Sequence, residues 1–151
     1  MASFIIFDLN RTLYDPDRDA LMPDALSVLE RLRGLGICLV LVSRDERGRD
    51  GVVERFALAP FFSEVLLVNE KTPERFAEII ARYATPQETI VVGDYPDDEI
   101  RCGNACGAIT VRLRSGKFRD AVAGAGAEAT YGIDSLEDLL PIVERYRAGG
   151  V

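Results

Sequence analysis

The chain is expected to fold as a three-layer, doubly wound α/β sandwich around a five-stranded, mainly parallel sheet. Short apolar runs alternate with amphipathic stretches along the whole chain. The apolar runs are also continuous, as strands buried on both faces require. Composition agrees: 151 residues, 48% hydrophobic, with 13 Gly and 7 Pro scattered through the sequence, suit a single domain over residues 1–151 with its own core.

Ser3 to Phe7 (SFIIF) reads as the first buried strand and stops at Asp8. Pro23 to Leu35 reads as a helix, opened by Pro23 and closed by Gly36, with Leu26, Leu29, Leu32 and Leu35 on one stripe. Ile37 to Val42 (ICLVLV) is the second strand and ends at Ser43. Asp50 to Ala57 is expected to form a short helix, and Glu64 to Val68 (EVLLV) the third strand.

Thr72 to Tyr83 carries the clearest helix signals: Thr72 as N-cap, Pro73 at the first position, and Phe76, Ile79 and Ile80 on the apolar face. Thr89 to Val92 (TIVV) is the fourth strand and runs into Gly93-Asp94. Asp98 to Cys106 is expected to be helical, and Ile109 to Leu113 (ITVRL) to be the fifth strand. After a Gly/Ala-rich connector, Ser135 to Tyr146 forms the last helix, with Ser135 and Asp138 spaced almost as a capping box.

Right-handed crossovers bring every strand's carboxyl end to one edge of such a sheet, and ligands bind there, where strand order reverses. Asp8, Ser43 and Asp94 end strands one, two and four, while Lys71 follows strand three. If strands one and four are neighbours, Asp8 and Asp94 lie about 5 Å apart. Two ionised carboxylates that close need a proton or a cation between them, and a hard divalent ion, Mg²⁺ above all, fits oxygen ligands. Asp97, Asp98 and Glu99 add negative charge just beyond, where Asp97 and Asp98 also suit a helix N-terminus.

Other classes are excluded or disfavoured. The chain has no histidine, which rules out Ser-His-Asp and Cys-His catalysis and deprives zinc of its usual imidazoles. A net charge of −7 disfavours nucleic-acid phosphates and anionic membranes as partners. No run approaches the roughly 20 apolar residues of a membrane span, and the first residues lack a signal-peptide pattern. Cys38, Cys102 and Cys106 lack framework spacing and read as free thiols, so a cytoplasmic location is expected. The mixed-sign run 44–50 reads as a solvated loop on the binding edge, with Arg44, Arg47 and Arg49 as an alternative lure for an anionic substrate. Arg114 to Asp120 reads as a surface loop, with an approach to the site from strand five as the alternative.

The polar segments together resemble a known family. FDLNRTLYD resembles the first motif of the haloacid dehalogenase superfamily, DxDxT followed by a hydrophobic residue, and LVLVS resembles its second. EKTPERF resembles the third, and VVGDYPDDEIRCGNACGAITV the fourth. The motifs occur in order, and the likeness covers nearly the whole chain.

The resemblance implies a Rossmann-like, capless hydrolase that forms an aspartyl-phosphate on Asp8. It implies Mg²⁺ held by the Asp8 carboxylate, the Asn10 backbone carbonyl and Asp94, with Asp98 or Glu99 supporting the metal through water. Ser43 and Lys71 would bind the phosphoryl oxygens, and Thr12 would orient the loop around Asp8. Arg11 and Arg44 are further candidates for substrate contact. Partners implied are a phosphorylated small molecule or macromolecule, and a homo-oligomer is compatible because capless relatives borrow a neighbour's surface.

One position departs from the pattern. The family's second motif-one aspartate, which protonates the leaving alkoxide and activates water, is Asn10 here. An amide cannot exchange a proton near neutral pH, so turnover suffers while binding survives. Three accounts stay open: an engineered Asp→Asn change, a slow or specialised phosphomonoester hydrolase, or a catalytically degenerate module that binds a phosphorylated ligand or protein partner.

Overall fold

A computed structural model describes residues 2–44 and 49–147, the side chains of residues 49 and 50 excepted. The strands of the main sheet are β1 (Phe4–Phe7), β4 (Cys38–Arg44), β5 (Glu64–Val68), β6 (Thr89–Gly93), β7 (Ile109–Leu113) and β8 (Tyr131–Ile133). They run in the order β5-β4-β1-β6-β7-β8, and every pairing is parallel. A small antiparallel hairpin, β2 (Tyr14–Asp15) with β3 (Ala20–Leu21), follows β1. The sheet therefore has six strands where the sequence predicts five. The extra strand is three residues long, lies at the edge and contains Gly132, so it carries no hydrophobic period.

The helices are α1 (Ala25–Gly34), α2 (Arg49–Arg55), α3 (Pro73–Tyr83), α4 (Arg101–Cys106) and α5 (Leu139–Arg147). Alternation within β1 shows how the layers form. Ile5 and Phe7 join a core with Val28, Leu29 and Leu32 of α1, Val52 and Val53 of α2, and Leu139, Leu140 and Val143 of α5. Phe4 and Ile6 face the opposite core, with Phe76, Ile79 and Ile80 of α3 and Cys102 of α4. Helices cover both faces of the sheet, and burying each large apolar side chain contributes about 1.5–3 kcal/mol. Among the described residues no element remains to build a cap, and no helix is long and apolar enough to cross a membrane.

Two helices differ from expectation. The buried stripe of α1 is Ala25, Val28, Leu29 and Leu32, while Leu26 is 43% exposed and Leu35 is half-buried, because a strict three-residue spacing drifts around a helix of 3.6 residues per turn and carries its ends off the buried face. The segment expected to be helical from Asp98 begins instead with a five-residue π-helical turn, Pro96–Ile100, which leads into α4. By contrast α3 forms as expected, with Thr72 Oγ1 accepting from the Arg75 N–H at 3.1 Å. Before α5, the Ser135 hydroxyl accepts from the Glu137 N–H at 3.2 Å, and Asp138 donates only its N–H to the Ser135 carbonyl. The thiols of Cys38, Cys102 and Cys106 are free, and burial pushes that of Cys102 up to about 12.

From β1 the chain winds to one side through β4 and β5, then returns to β6 on the other side and continues through β7 and β8. The reversal falls between β1 and β6, paired in register from Phe4 with Thr89 to Phe7 with Val92. The next residues out of these strands carry the chemistry.

Candidate functional site

A pocket of about 240 Å³ opens at the reversal, lined by Asp8, Asn10, Arg11, Arg44, Lys71, Asp94, Tyr95, Asp98, Glu99, Lys117 and Phe118. Asp8 is fixed as its main chain leaves the sheet, its N–H donating to the Val92 carbonyl at 3.0 Å. Asp94 follows the end of β6 directly. One carboxylate oxygen from each of Asp8, Asp94 and Glu99 lies within 4.8 Å of the other two.

Lys71 is buried among these acids. Its Nζ donates to Asp8 Oδ1 at 2.6 Å and to Glu99 Oε2 at 3.1 Å, and lies 3.9 Å from Asp98 Oδ2. Glu99 Oε1 in turn accepts the N–H groups of Asp94 at 2.9 Å and Tyr95 at 3.2 Å. Glu99 thus ties Lys71 to the turn after β6. Gly93 makes this possible, since a Cβ there would stand 2.1 Å from Glu99 Cγ and Oε1. The π-helical turn narrows the angle between successive side chains, so the consecutive residues Asp98 and Glu99 both line the pocket. Asp98 takes the outer position, 3.4 Å from Arg44.

Electrostatics follow from packing three carboxylates into a buried space with one ammonium. Burial pushes the Asp94 carboxyl up to about 9, with the Asp8 and Glu99 carboxylates adding to the shift. Burial also raises Glu99 and Asp98, opposed in both by Lys71. For Lys71 itself burial works against the charge, but the Asp8 and Glu99 carboxylates outweigh it and the net shift is upward. Hard oxygen donors held together at this cost in repulsion suit a small divalent cation.

The candidates named from sequence separate in position. Asp8, Asn10, Arg11, Arg44, Lys71, Asp94, Asp98 and Glu99 all line the pocket. Thr12 is fully buried behind it, with Oγ1 donating to Asp8 Oδ2 at 3.4 Å. Ser43 is also fully buried, inside β4 rather than beyond its end. Its hydroxyl donates to the Arg44 carbonyl at 3.4 Å, and Ser43 is absent from the pocket wall. Arg47 lies outside the described residues.

Sequence reasoning missed Tyr95, Lys117 and Phe118, which form the side of the pocket toward β7. Within Arg114 to Asp120, read as a surface loop with an approach to the site as the alternative, Lys117 and Phe118 are part of the wall. The segment's position after a parallel strand was the available signal, because every such strand ends at this edge. Phe118 and Tyr95 stack with ring centroids 4.5 Å apart, and the Arg11 guanidinium lies 5.6 Å from the Phe118 centroid.

The chain is similar to known proteins. The family model described as "Hydrolase: haloacid dehalogenase-like hydrolase" matches residues 3–107. Glyceraldehyde 3-phosphate phosphatase of Methanopyrus kandleri is 33% identical over 105 residues, which are 65% of this chain and 45% of that protein. The enzyme of the same name from Methanocaldococcus jannaschii is 28% identical over 138 residues, 83% of this chain and 57% of that one. The chain thus spans about half the length of the curated relatives it matches. Among solved structures, 2-haloacid dehalogenase from Pseudomonas syringae pv. tomato superposes with TM-score 0.78 at 16% identity, covering 97% of this chain and 100% of that one. A haloacid dehalogenase-like hydrolase from Xanthomonas campestris gives 0.79 at 11% identity, covering 97% and 96%.

Proposed function

Because the chain belongs to the haloacid dehalogenase-like hydrolases, we propose that it is a Mg²⁺-dependent phosphomonoester hydrolase working through Asp8. The observation that carries this reading is the trio of carboxylate oxygens from Asp8, Asp94 and Glu99, gathered beside a buried lysine at the sheet's reversal point. The phosphatase names of two relatives support the same reaction class.

In this reading Asp8, Asp94 and the Asn10 carbonyl hold the metal, while Asp98 and Glu99 orient its surroundings. Bound Mg²⁺ supplies positive charge that offsets the carboxylates and the charge gathering on the phosphoryl oxygens. An Asp8 oxygen attacks phosphorus; the new O–P bond forms as the ester P–O bond breaks, and the leaving oxygen keeps the electron pair. Lys71 draws the phosphoryl oxygens toward Asp8. Ser43 would have to turn its hydroxyl from the Arg44 carbonyl to join it. Thr12 positions the Asp8 carboxylate, and Arg11 and Arg44 meet the rest of the substrate. Water then attacks phosphorus as the Asp8 O–P bond breaks. With an amide at position 10 no side chain there takes the water's proton, which stays on the released phosphate, and Asp8 is restored as a carboxylate.

Asn10 sets the limit of this scheme. Its amide gives the leaving oxygen no proton, so esters whose leaving group is stable as an anion are the better substrates. The same residue favours a second reading, a binding module with decayed catalysis. Phosphate release from p-nitrophenyl phosphate and from an alkyl phosphate, each with Mg²⁺, separates the two. The hydrolase reading expects Asn10→Asp to accelerate the alkyl ester by about 10²–10⁴-fold and the aryl ester by less. Asp8→Asn should be inactive in both backgrounds. Silence of both the parent and Asn10→Asp on every ester would leave only the binding module.

A further inference from the structure

The chain that leaves Asp8 passes through two residues in conformations that a Cβ disfavours. Arg11 stands at φ 61° and Asp19 at φ 48°, both in the left-handed region. Such conformations persist where neighbouring groups over-determine them, and Tyr14 meets both residues. The Tyr14 carbonyl accepts the Arg11 N–H at 2.6 Å, and Tyr14 pairs with Asn10 in an isolated bridge. The Tyr14 N–H donates to the Leu9 carbonyl at 2.9 Å, which closes the turn. At its other end the Tyr14 phenol donates to Asp19 Oδ1 at 2.5 Å, just before β3.

Beyond Asp19 stands α2. Arg55, its last residue, donates to Asp19 Oδ1 at 2.5 Å and to Oδ2 at 3.3 Å, a forked pairing that fixes the carboxylate in orientation as well as position. The Tyr14 ring lies 5.9 Å from that of Phe56, and the Arg55 guanidinium lies 5.2 Å from the same Phe56 ring. The hairpin meets the turn once more at Asp17, 3.9 Å from the Arg11 guanidinium. Tyr14 is buried, whereas the side chains of Arg55 and Asp19 are 52% and 60% exposed. An exposed ion pair contributes little to overall stability, so the effect of this one is local: it holds a hydroxyl that rises from the core.

We propose that Arg55, Asp19 and Tyr14 form a positioning clamp for the Asn10–Arg11 turn. Helix α2 holds Asp19, Asp19 holds the Tyr14 phenol, and the Tyr14 main chain holds the turn that carries two residues of the pocket wall. None of the three lines the pocket, so they act through Asn10 and Arg11 and touch no substrate. The bearing on metal binding rests on the hydrolase reading, in which the Asn10 carbonyl is a ligand; the clamping of the turn does not.

Tyr14→Phe keeps the ring and removes the phenol, and Arg55→Met removes the fork. Amide hydrogen exchange reads the turn directly, with the Arg11 N–H compared with that of Ile6 in β1. Each variant should speed exchange at Arg11 10-fold or more beyond any change at Ile6. The double variant should exceed Tyr14→Phe by less than 2-fold, because both act through Asp19. Arg55→Lys, which keeps one charged contact, should bring the Arg11 rate to within 3-fold of the parent. In calorimetry Tyr14→Phe should bind Mg²⁺ 3-fold or more weakly than the parent. Arg82→Met, which breaks an exposed pair with Glu64 on the other face, should change neither reading. Equal acceleration at Arg11 and Ile6 would make the cluster a support of the whole fold, and an unchanged Arg11 rate would give it no hold on the turn; either overturns the clamp. Single effects that multiply in the double variant, or Mg²⁺ bound as tightly by Tyr14→Phe as by the parent, overturn it too. If the parent binds no Mg²⁺ while Arg11 exchange responds as expected, the hydrolase reading falls and the clamp stands.

Discussion

The floor and the β7-side wall of the pocket are built by different means. On the floor, Asp8 and Asp94 follow the ends of neighbouring strands, and their positions are set by main-chain pairing in the middle of the sheet. The wall hangs on a side chain that reaches back to carbonyl groups, Arg112 to Phe118, Arg119 and Ala121. Main-chain pairing in a buried sheet leaves little freedom, so the floor can hold repelling carboxylates in place. Side-chain anchors can change with a few substitutions, so a wall held by them can alter its ligand without disturbing the chemistry beneath.

The largest effect expected from that difference is at Gly93. Gly93→Ala puts a methyl into the space of the Glu99 side chain, which must leave its bonds to the Asp94 and Tyr95 N–H groups and to Lys71. Overpacking with loss of charged hydrogen bonds should cost about 3 kcal/mol, seen in denaturant unfolding, and should remove phosphate release as well. If Gly93→Ala is as stable as the parent, the floor is not rigid and the contrast fails. A smaller effect is expected on the wall. Arg112→Met removes three bonds to carbonyls that water can reach, costing about 1–2 kcal/mol. It should raise KM several-fold with little change in kcat, because Phe118 and Lys117 lose their support while Asp8 and Asp94 keep theirs. An equal loss in kcat would place the wall in the chemistry itself.

The same contrast explains how much was legible in the sequence. Strands such as Glu64–Val68 and Thr89–Gly93 are continuous β-branched and aliphatic runs, and the residues just past such runs were open to reading as a site. Helix α3 announces itself through Thr72, Pro73 and its apolar stripe. Other parts leave no such trace. The hairpin strands at Tyr14–Asp15 and Ala20–Leu21 are too short to show a period, as is Tyr131–Ile133 at the sheet edge. The π-helical turn depends on where Glu99 finds its partners, and all of those lie outside its own turn or on its preceding loop. The wall was harder to read because Arg112 anchors it across 6 to 9 positions of sequence. Side-chain bonds to main-chain carbonyls at such separations follow no residue pattern. Ser43 is a different case: β4 extends through it to Arg44, so it lies buried short of the strand's end, a place the sequence did not show.

The shared cation is the claim from which the hydrolase reading follows, and its most direct measurement is thermal unfolding against Mg²⁺ concentration. In the parent chain Mg²⁺ should raise Tm in a saturable way, equivalent to about 2.7 kcal/mol at a hundredfold excess over Kd. Asp94→Asn, which relieves the crowding of carboxylates, should melt higher than the parent without metal and lose the response to it. A parent that ignores Mg²⁺, or an Asp94→Asn variant that answers it as strongly as the parent, would contradict the account.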